Sequence, residues 1–336
     1  MKGIASIRLG KPVFAMLTLF MIVALVMSGC ATTSDQGTGS SSTPTNQGTT
    51  SDAGAGTSSD TKTDQGSANG DQTSGSALLD KLRKQGYVDV GFANEKPYAY
   101  QTTDGKLTGE AVEIARIIFK NLGVDELRGH LVEFSSLIPG LKAKKFDVIT
   151  AGMFITPERA KQVVFANPEY SIGEALAVLK GNPKNLHSYE DIANQPDVKV
   201  AVMSGAIEED YMLKSGIKED QIITVQDQPA AISALKTGRV DAITMTGPSL
   251  QSMLEAADDP DIERVMDFKQ PVIDGKSVRG YGAAAFRPED KDLADLYNQE
   301  LQKLKDSGEL LKILEQFGFT EQELPGDKTA AELSKE

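Results

Sequence analysis

The sequence predicts an α/β protein of two lobes, each an open sheet flanked by helices, joined by a two-segment hinge. Three observations carry this. Strand and helix patterns alternate from about residue 77 to 325, the signature of sheets covered by helices. The folded part, about 250 residues, suits two modest cores better than one large one. A strand-like stretch from Arg279 to Phe286 follows the second set of elements and leads the chain back to the first, so the lobes are crossed twice.

The first 29 residues stand apart. Lys2, Arg8 and Lys11 precede an apolar run from Val13 to Met27 that stops at Ser28-Gly29-Cys30, which reads as a secretory signal rather than a spanning helix. Cys30 is the single cysteine, and its place after two small residues resembles a bacterial lipobox, with Met27 where leucine is usual. The resemblance implies cleavage before Cys30 and a diacylglycerol anchor on its thiol, holding the protein to the outer face of a membrane. From residue 30 to 76 the chain is Ser, Thr, Gly, Asp and Gln with almost no apolar residue, a flexible tether. Removing residues 1–29 lowers the 35 basic residues by three and leaves the 48 acidic ones, so the formal charge moves from −13 to −16. Such acidity excludes nucleic acid as a partner.

The elements follow in order. Residues 88–92 alternate as a strand, and 109–122 place Ala111, Ile114, Ala115, Ile118 and Leu122 on one helical stripe ending at Gly123. Residues 146–150 form another strand, and Thr156-Pro157 is an N-cap with proline at the first helical position. A second set comprises strand 198–203, helix 230–237, strand 240–245 and helix 249–257, and residues 291–317 carry long helical patterning. The alternation predicts parallel sheets. The division is 77–177 with 272–325 for one lobe, 178–271 for the other and 326–336 as a tail. A ligand between such lobes sits outside the carboxyl ends of the strands.

Several segments then resemble a known family: Gly91-Phe92-Ala93-Asn94-Glu95-Lys96-Pro97-Tyr98, Leu137-Ile138-Pro139-Gly140-Leu141 before Phe146-Asp147-Val148, Ile155-Thr156-Pro157-Glu158-Arg159, and Gly238-Arg239-Val240-Asp241-Ala242. The stretch 77–325 resembles the extracellular solute-binding proteins of polar amino-acid ABC importers, and so a type II periplasmic-binding-protein fold. Glu95, Tyr98, Phe134, Ala151-Gly152-Met153-Phe154 and Arg159 look most like the ectoine/hydroxyectoine-binding branch.

What the resemblance implies is a set of roles. Arg159 would grip the ligand carboxylate with two parallel hydrogen bonds. The alternative is a surface arginine in a first helical turn. Backbone N–H groups of Ser204, Gly205 and Ala206 would reach the same carboxylate from the second lobe, the alternative being ordinary capping by Ser204. In α-amino-acid binders of this family an acidic residue stands eight positions after the glycine of Gly238-Arg239-Val240-Asp241 and takes the ammonium; here it is Thr246. Tyr98, Phe134 and Phe154 would instead face a delocalised cation with their rings, unless they are core, and Glu95, unless solvated, would accept from an amidinium N–H. Asp241 is structural.

Enzyme chemistry has little footing. His130 and His187 lack metal-ligand spacing, the folded part has no cysteine, and neither a phosphate-binding loop nor a nucleophile elbow is present. No cofactor, metal or catalytic residue is expected. The expectation is a monomeric lipoprotein that captures ectoine or 5-hydroxyectoine, a small zwitterionic solute, and delivers it to ABC permease subunits. A polar amino-acid binder, an enzyme resembling cyclohexadienyl dehydratase and a sensory or adhesive lipoprotein are the alternatives.

Overall fold

The computed structural model describes residues 76–335. The signal segment, Cys30 and the tether as far as residue 75 lie outside the described residues. Two five-stranded sheets organise what is described. The first runs in the order Glu126–Leu131, Tyr87–Phe92, Val148–Ile149, Ala285–Phe286, Val164–Phe165, and the second Ile222–Val225, Val200–Met203, Ala242–Thr246, Glu174–Leu179, Ile262–Arg264. Each is buried on both faces, so its strands alternate between two apolar clusters. In the second sheet Ala175, Ala177, Ala201 and Met203 point into one cluster, Leu176, Val178, Val200 and Val202 into the other.

The expectation of parallel sheets is corrected to mixed ones. In the first sheet Ala285–Phe286 runs antiparallel to both neighbours, and in the second Glu174–Leu179 does. Each is the strand that follows a crossing between lobes. A helical crossover returns the chain to run parallel, whereas a strand arriving straight from the hinge has no such return. Strand Glu174–Leu179 belongs whole to the second sheet, so a division after residue 177 cuts through it. The hinge itself is an antiparallel ribbon of Tyr170–Ile172 and Gly280–Gly282, with Gly280 opposite Ile172 and Gly282 opposite Tyr170. Side chains of Gln270 close its exit: its amide oxygen accepts from Glu174 N and its amide nitrogen donates to Glu174 O, each at 2.7 Å.

The predicted helices appear with shifted ends. The second is Glu110–Asn121, and Thr156 caps Pro157–Ala160 through its hydroxyl, accepting from Arg159 N at 3.2 Å. The long tract from 291 is two helices, Lys291–Asp306 and Glu309–Glu315, broken at Ser307-Gly308. Past residue 325 a short helix Ala330–Leu333 buries Leu333 against the first lobe and ties Ala330 N to the Asn167 side chain. None of the helices among the described residues is long and apolar enough to cross a membrane.

The first lobe contains two fully buried acids, and the Lys305 charge offsets only part of the cost at Glu169. Glu110 and Glu169 are fully buried, Glu110 has no hydrogen-bond partner on either carboxyl oxygen, and Glu169 accepts from Tyr297 Oη at 2.8 Å. Burial, and for Glu110 the nearby Glu169 charge, raises both; Glu169 is pushed up to about 7 from 4.5. The sign follows from linkage. Below the unfolded value both states hold the proton and the contribution is full; as pH rises through about 7 the native carboxyl must ionise in apolar surroundings and stability is lost. Thermal melts should therefore fall between about pH 5 and pH 8, by on the order of 3 kcal/mol or roughly 5–10 °C from Glu169. Glu169→Gln should flatten that slope, and an unchanged slope would show that Glu169 is already ionised in the native state.

Candidate functional site

The cavity that gathers the predicted residues lies between the two sheets and has a free volume of about 30 Å3. Glu95, Tyr98, Phe134, Gly152, Phe154 and Arg159 line it from the first lobe, and Met203, Ala206, Ile207, Glu208, Thr244, Met245 and Thr246 from the second. A wider depression of about 790 Å3, lined by Lys96, Tyr100, Arg264 and Glu323 among others, is open and polar. The smaller one is the candidate because buried charges of both signs converge there.

Local structure places each group. Glu95 and Tyr98 occupy the loop after strand Tyr87–Phe92, closed by Ala99 N donating to Glu95 O. Arg159 is held by the Thr156 cap, and its Nη1 donates to Phe154 O at 2.9 Å while Nη2 donates across to Gly205 O at 3.0 Å. Of its five N–H groups three remain for a ligand. Its guanidinium carbon lies 5.5 Å from the Phe134 ring centroid.

The segment carrying Phe154 is an extension of the hinge ribbon. Ala283 N donates to Met153 O at 3.0 Å and Ile155 N to Tyr281 O at 2.9 Å. Two rings lie flat on that ribbon's backbone. A Cβ on Gly280 would come 1.8 Å from the Phe154 ring, and one on Gly282 would come 2.2 Å from the Tyr170 ring. Only glycine lets the rings approach so closely.

The second lobe supplies polar partners. Tyr98 Oη and Thr246 Oγ1 share a 2.6 Å hydrogen bond, and Ser249 Oγ donates to Glu95 Oε1 at 2.6 Å. Burial pushes the Glu95 carboxyl up to about 7, the Ser249 bond opposing and the Glu208 charge adding. Burial likewise disfavours charge on Arg159, and the nearest group favouring it is Glu208.

Two expectations change. Ser204 and Gly205 do not line the cavity. Ser204 N is taken by Val225 O at 2.9 Å and Ala206 N by Met203 O at 3.0 Å, so these two donors are not available to a carboxylate; the loop also presents the Gly205 carbonyl, to Arg159. Tyr98 and Phe154 are core as well as lining, at 2% and 4% exposed, with Tyr98 stacked on Tyr170 at 5.1 Å. Phe134 alone of the three rings is half-exposed. Asp241 ties two strand starts, accepting from Lys199 N at 2.9 Å, and the histidines pair with Asp89 and Asp267 instead of lining the cavity. Sequence reasoning missed Glu208, an acid in the first turn of a helix, and Glu174, whose signal was one charge heading the apolar run Glu174-Ala175-Leu176-Ala177-Val178-Leu179.

Two lobes on a two-stranded hinge, enclosing a small charged cavity, define a solute-binding protein. The chain belongs to the bacterial extracellular solute-binding proteins, family 3, whose family model matches residues 88–321. A probable amino-acid ABC transporter periplasmic-binding protein, y4tE of Sinorhizobium fredii, is 36% identical over 266 residues, 78% of this chain and 87% of its own. The arginine-binding extracellular protein ArtP of Bacillus subtilis is 29% identical, covering 66% and 81%. Among solved structures, EhuB in complex with hydroxyectoine superposes with a TM-score of 0.70 at 36% identity, over 76% of this chain and 97% of that one. The ancestral amino-acid-binding protein AncCDT-1, a precursor of cyclohexadienyl dehydratase, gives 0.63 at 28% identity, over 72% and 99%. Family membership places the chain outside the cytoplasm, as the component of an ABC importer that binds amino acids or related small solutes and delivers them to the permease.

Truncating the three rings should now separate them. Tyr98→Ala and Phe154→Ala should lower stability by about 3–5 kcal/mol, the cost of a cavity at a buried ring, while Phe134→Ala costs under about 1.5 kcal/mol. Denaturant unfolding of the three variants measures this. Equal losses for all three would place Phe134 in the core as well.

Proposed function

We propose that this protein captures ectoine or 5-hydroxyectoine and presents it to an ABC permease, held at the membrane by a lipidated Cys30. The carrying observation is that Arg159 and Glu95 reach one small cavity from the same lobe, with the Phe134 ring centroid 5.5 Å from the Arg159 guanidinium carbon. A solute with a planar carboxylate at one end and a compact delocalised cation at the other matches that pair. Arg159 takes the carboxylate through its three remaining N–H groups, and Glu95 accepts from the cation. Thr246, bonded to Tyr98, offers no counter-charge where amino-acid binders of the family carry one. EhuB, which was solved with hydroxyectoine, supports the reading by its likeness.

An amino-acid binder is the second reading. It is favoured by the Glu208 carboxyl at the cavity, which supplies the acid that Thr246 lacks, and by the amino-acid names of the relatives. Calorimetric titration of the purified full-length chain with ectoine, glycine betaine, glutamine, arginine and histidine distinguishes them. Ectoine should bind at least roughly tenfold more tightly than any amino acid. Arg159→Ala should abolish measurable binding, a loss on the order of 2–5 kcal/mol. Glu95→Gln should weaken ectoine by about 1.5–3 kcal/mol and betaine, which has no N–H to donate, much less. Micromolar glutamine or histidine binding without an ectoine signal would favour the second reading, and turnover of prephenate or arogenate in the same samples would indicate an enzyme.

A further inference from the structure

The second lobe brings its own acid to the cavity. Glu208 opens helix Glu208–Lys214, is 5% exposed and lines the space that Glu95 enters from the first lobe. Behind it stands Glu174, 3% exposed, heading its strand in register with Thr246, and neither of its carboxyl oxygens has a hydrogen-bond partner. The charged and titratable groups facing this pair are Arg159 from the first lobe, Tyr211 on the helix of Glu208, Tyr189 on helix Tyr189–Ala193, and Glu95. Arg159 is the one cation in that set, and two of its N–H groups already serve Phe154 O and Gly205 O. Three carboxyls face one guanidinium in a water-poor cavity; Ser249 serves Glu95 and backbone N–H groups serve Glu208, so the acceptors left without a donor are those of Glu174, and such acceptors are costly.

We infer that the solute's cation is received between two carboxylates, Glu95 of one lobe and Glu208 of the other, with Glu174 as the positioning residue that backs Glu208. The inference rests on the zwitterion reading above for the solute's other end, where Arg159 holds the carboxylate. It adds a chemical class: the cation must carry N–H donors on two edges, as an amidinium, guanidinium or primary ammonium does and a quaternary nitrogen does not. Because one carboxylate belongs to each lobe, the cation itself bridges them, and closure follows from bonds that exist only when both lobes are in place.

A second consequence gives Glu174 a readout of its own. Burial raises both Glu174 and Glu208, and the Glu208 charge raises Glu174 further, so the free pair holds a proton to higher pH than ordinary carboxyls do. An arriving cation favours the ionised pair, and the proton leaves to solvent.

Titrating ectoine and arginine into the full-length chain in phosphate and in Tris, whose ionisation heats differ, counts protons released on binding and needs no variant. Wild type should release a fraction of a proton per solute bound. Glu208→Gln should weaken the solute roughly tenfold or more. Glu174→Gln should bind within a few-fold of wild type but lose the release and flatten the rise of affinity with pH. Melting curves of the free variants confirm that each is folded. Ectoine binding with no proton release and an unchanged affinity in Glu208→Gln overturns this inference while leaving the proposed solute standing. Arginine binding with a release that Glu174→Gln removes, and no ectoine binding, supports the two-carboxylate site and discards the proposed solute. If neither N–H cation binds, both fall.

Discussion

Charged groups in the cleft must be taken out of water each time the lobes close, and the rest of the structure is arranged around that requirement. An isolated ion moved into a protein interior costs several kcal/mol unless it is paired and hydrogen-bonded. The fold answers on one side with peptide and hydroxyl groups: carbonyls of Phe154 and Gly205 for Arg159, the hydroxyl of Ser249 for Glu95. The bonds of Arg159 to Gly205 O and of Ser249 to Glu95 cross between lobes, together with Tyr98 to Thr246 and the Gln228 side chain to Lys96 O. Each is worth about 1 kcal/mol net, too little to hold two lobes shut against the desolvation of the carboxyls behind them. The solute supplies the balance, and for that reason its charge pattern, more than its volume, determines whether the lobes stay together.

Much of the fold was legible in the sequence because periodicity reports burial. The stripe of Ala111, Ile114, Ala115 and Ile118 and the run from Val200 to Met203 are buried where their patterns place them. Strand direction was not legible. Ala285–Phe286 and Glu174–Leu179 look like any buried strand, and only the route by which the chain enters them, through the hinge without a helix, makes them antiparallel. In the site, residues close to a strand end or a capping motif, such as Glu95 and Arg159, could be placed from local pattern. Hydrogen bonds that depend on how neighbouring elements meet could not. The N–H groups of Ser204 and Ala206 look free in sequence, and they are taken by Val225 O and Met203 O, one of them on the neighbouring strand. Glu208 was hidden for a related reason, since an acid in the first turn of a helix needs no explanation beyond the helix dipole.

The aromatic residues show why one residue can satisfy two readings. Tyr98 and Phe154 belong to the first lobe's core cluster and also face the cavity, so the core and the cage were never exclusive alternatives. Phe134 is the least buried of the three, packs against a core cluster of each lobe, and is the one beneath the guanidinium.

The seating of Phe154 and Tyr170 on Gly280 and Gly282 ties ligand choice to mechanics. Retuning the pocket for a bulkier or smaller solute by exchanging Phe154 alters the surface that presses on the hinge backbone, and with it the resting angle between the lobes. A swap of pocket side chains designed on the closed form alone will therefore change how often the empty protein visits that form. Repertoire and resting posture have to be engineered as one variable in this scaffold, with the glycine pair revised alongside the rings.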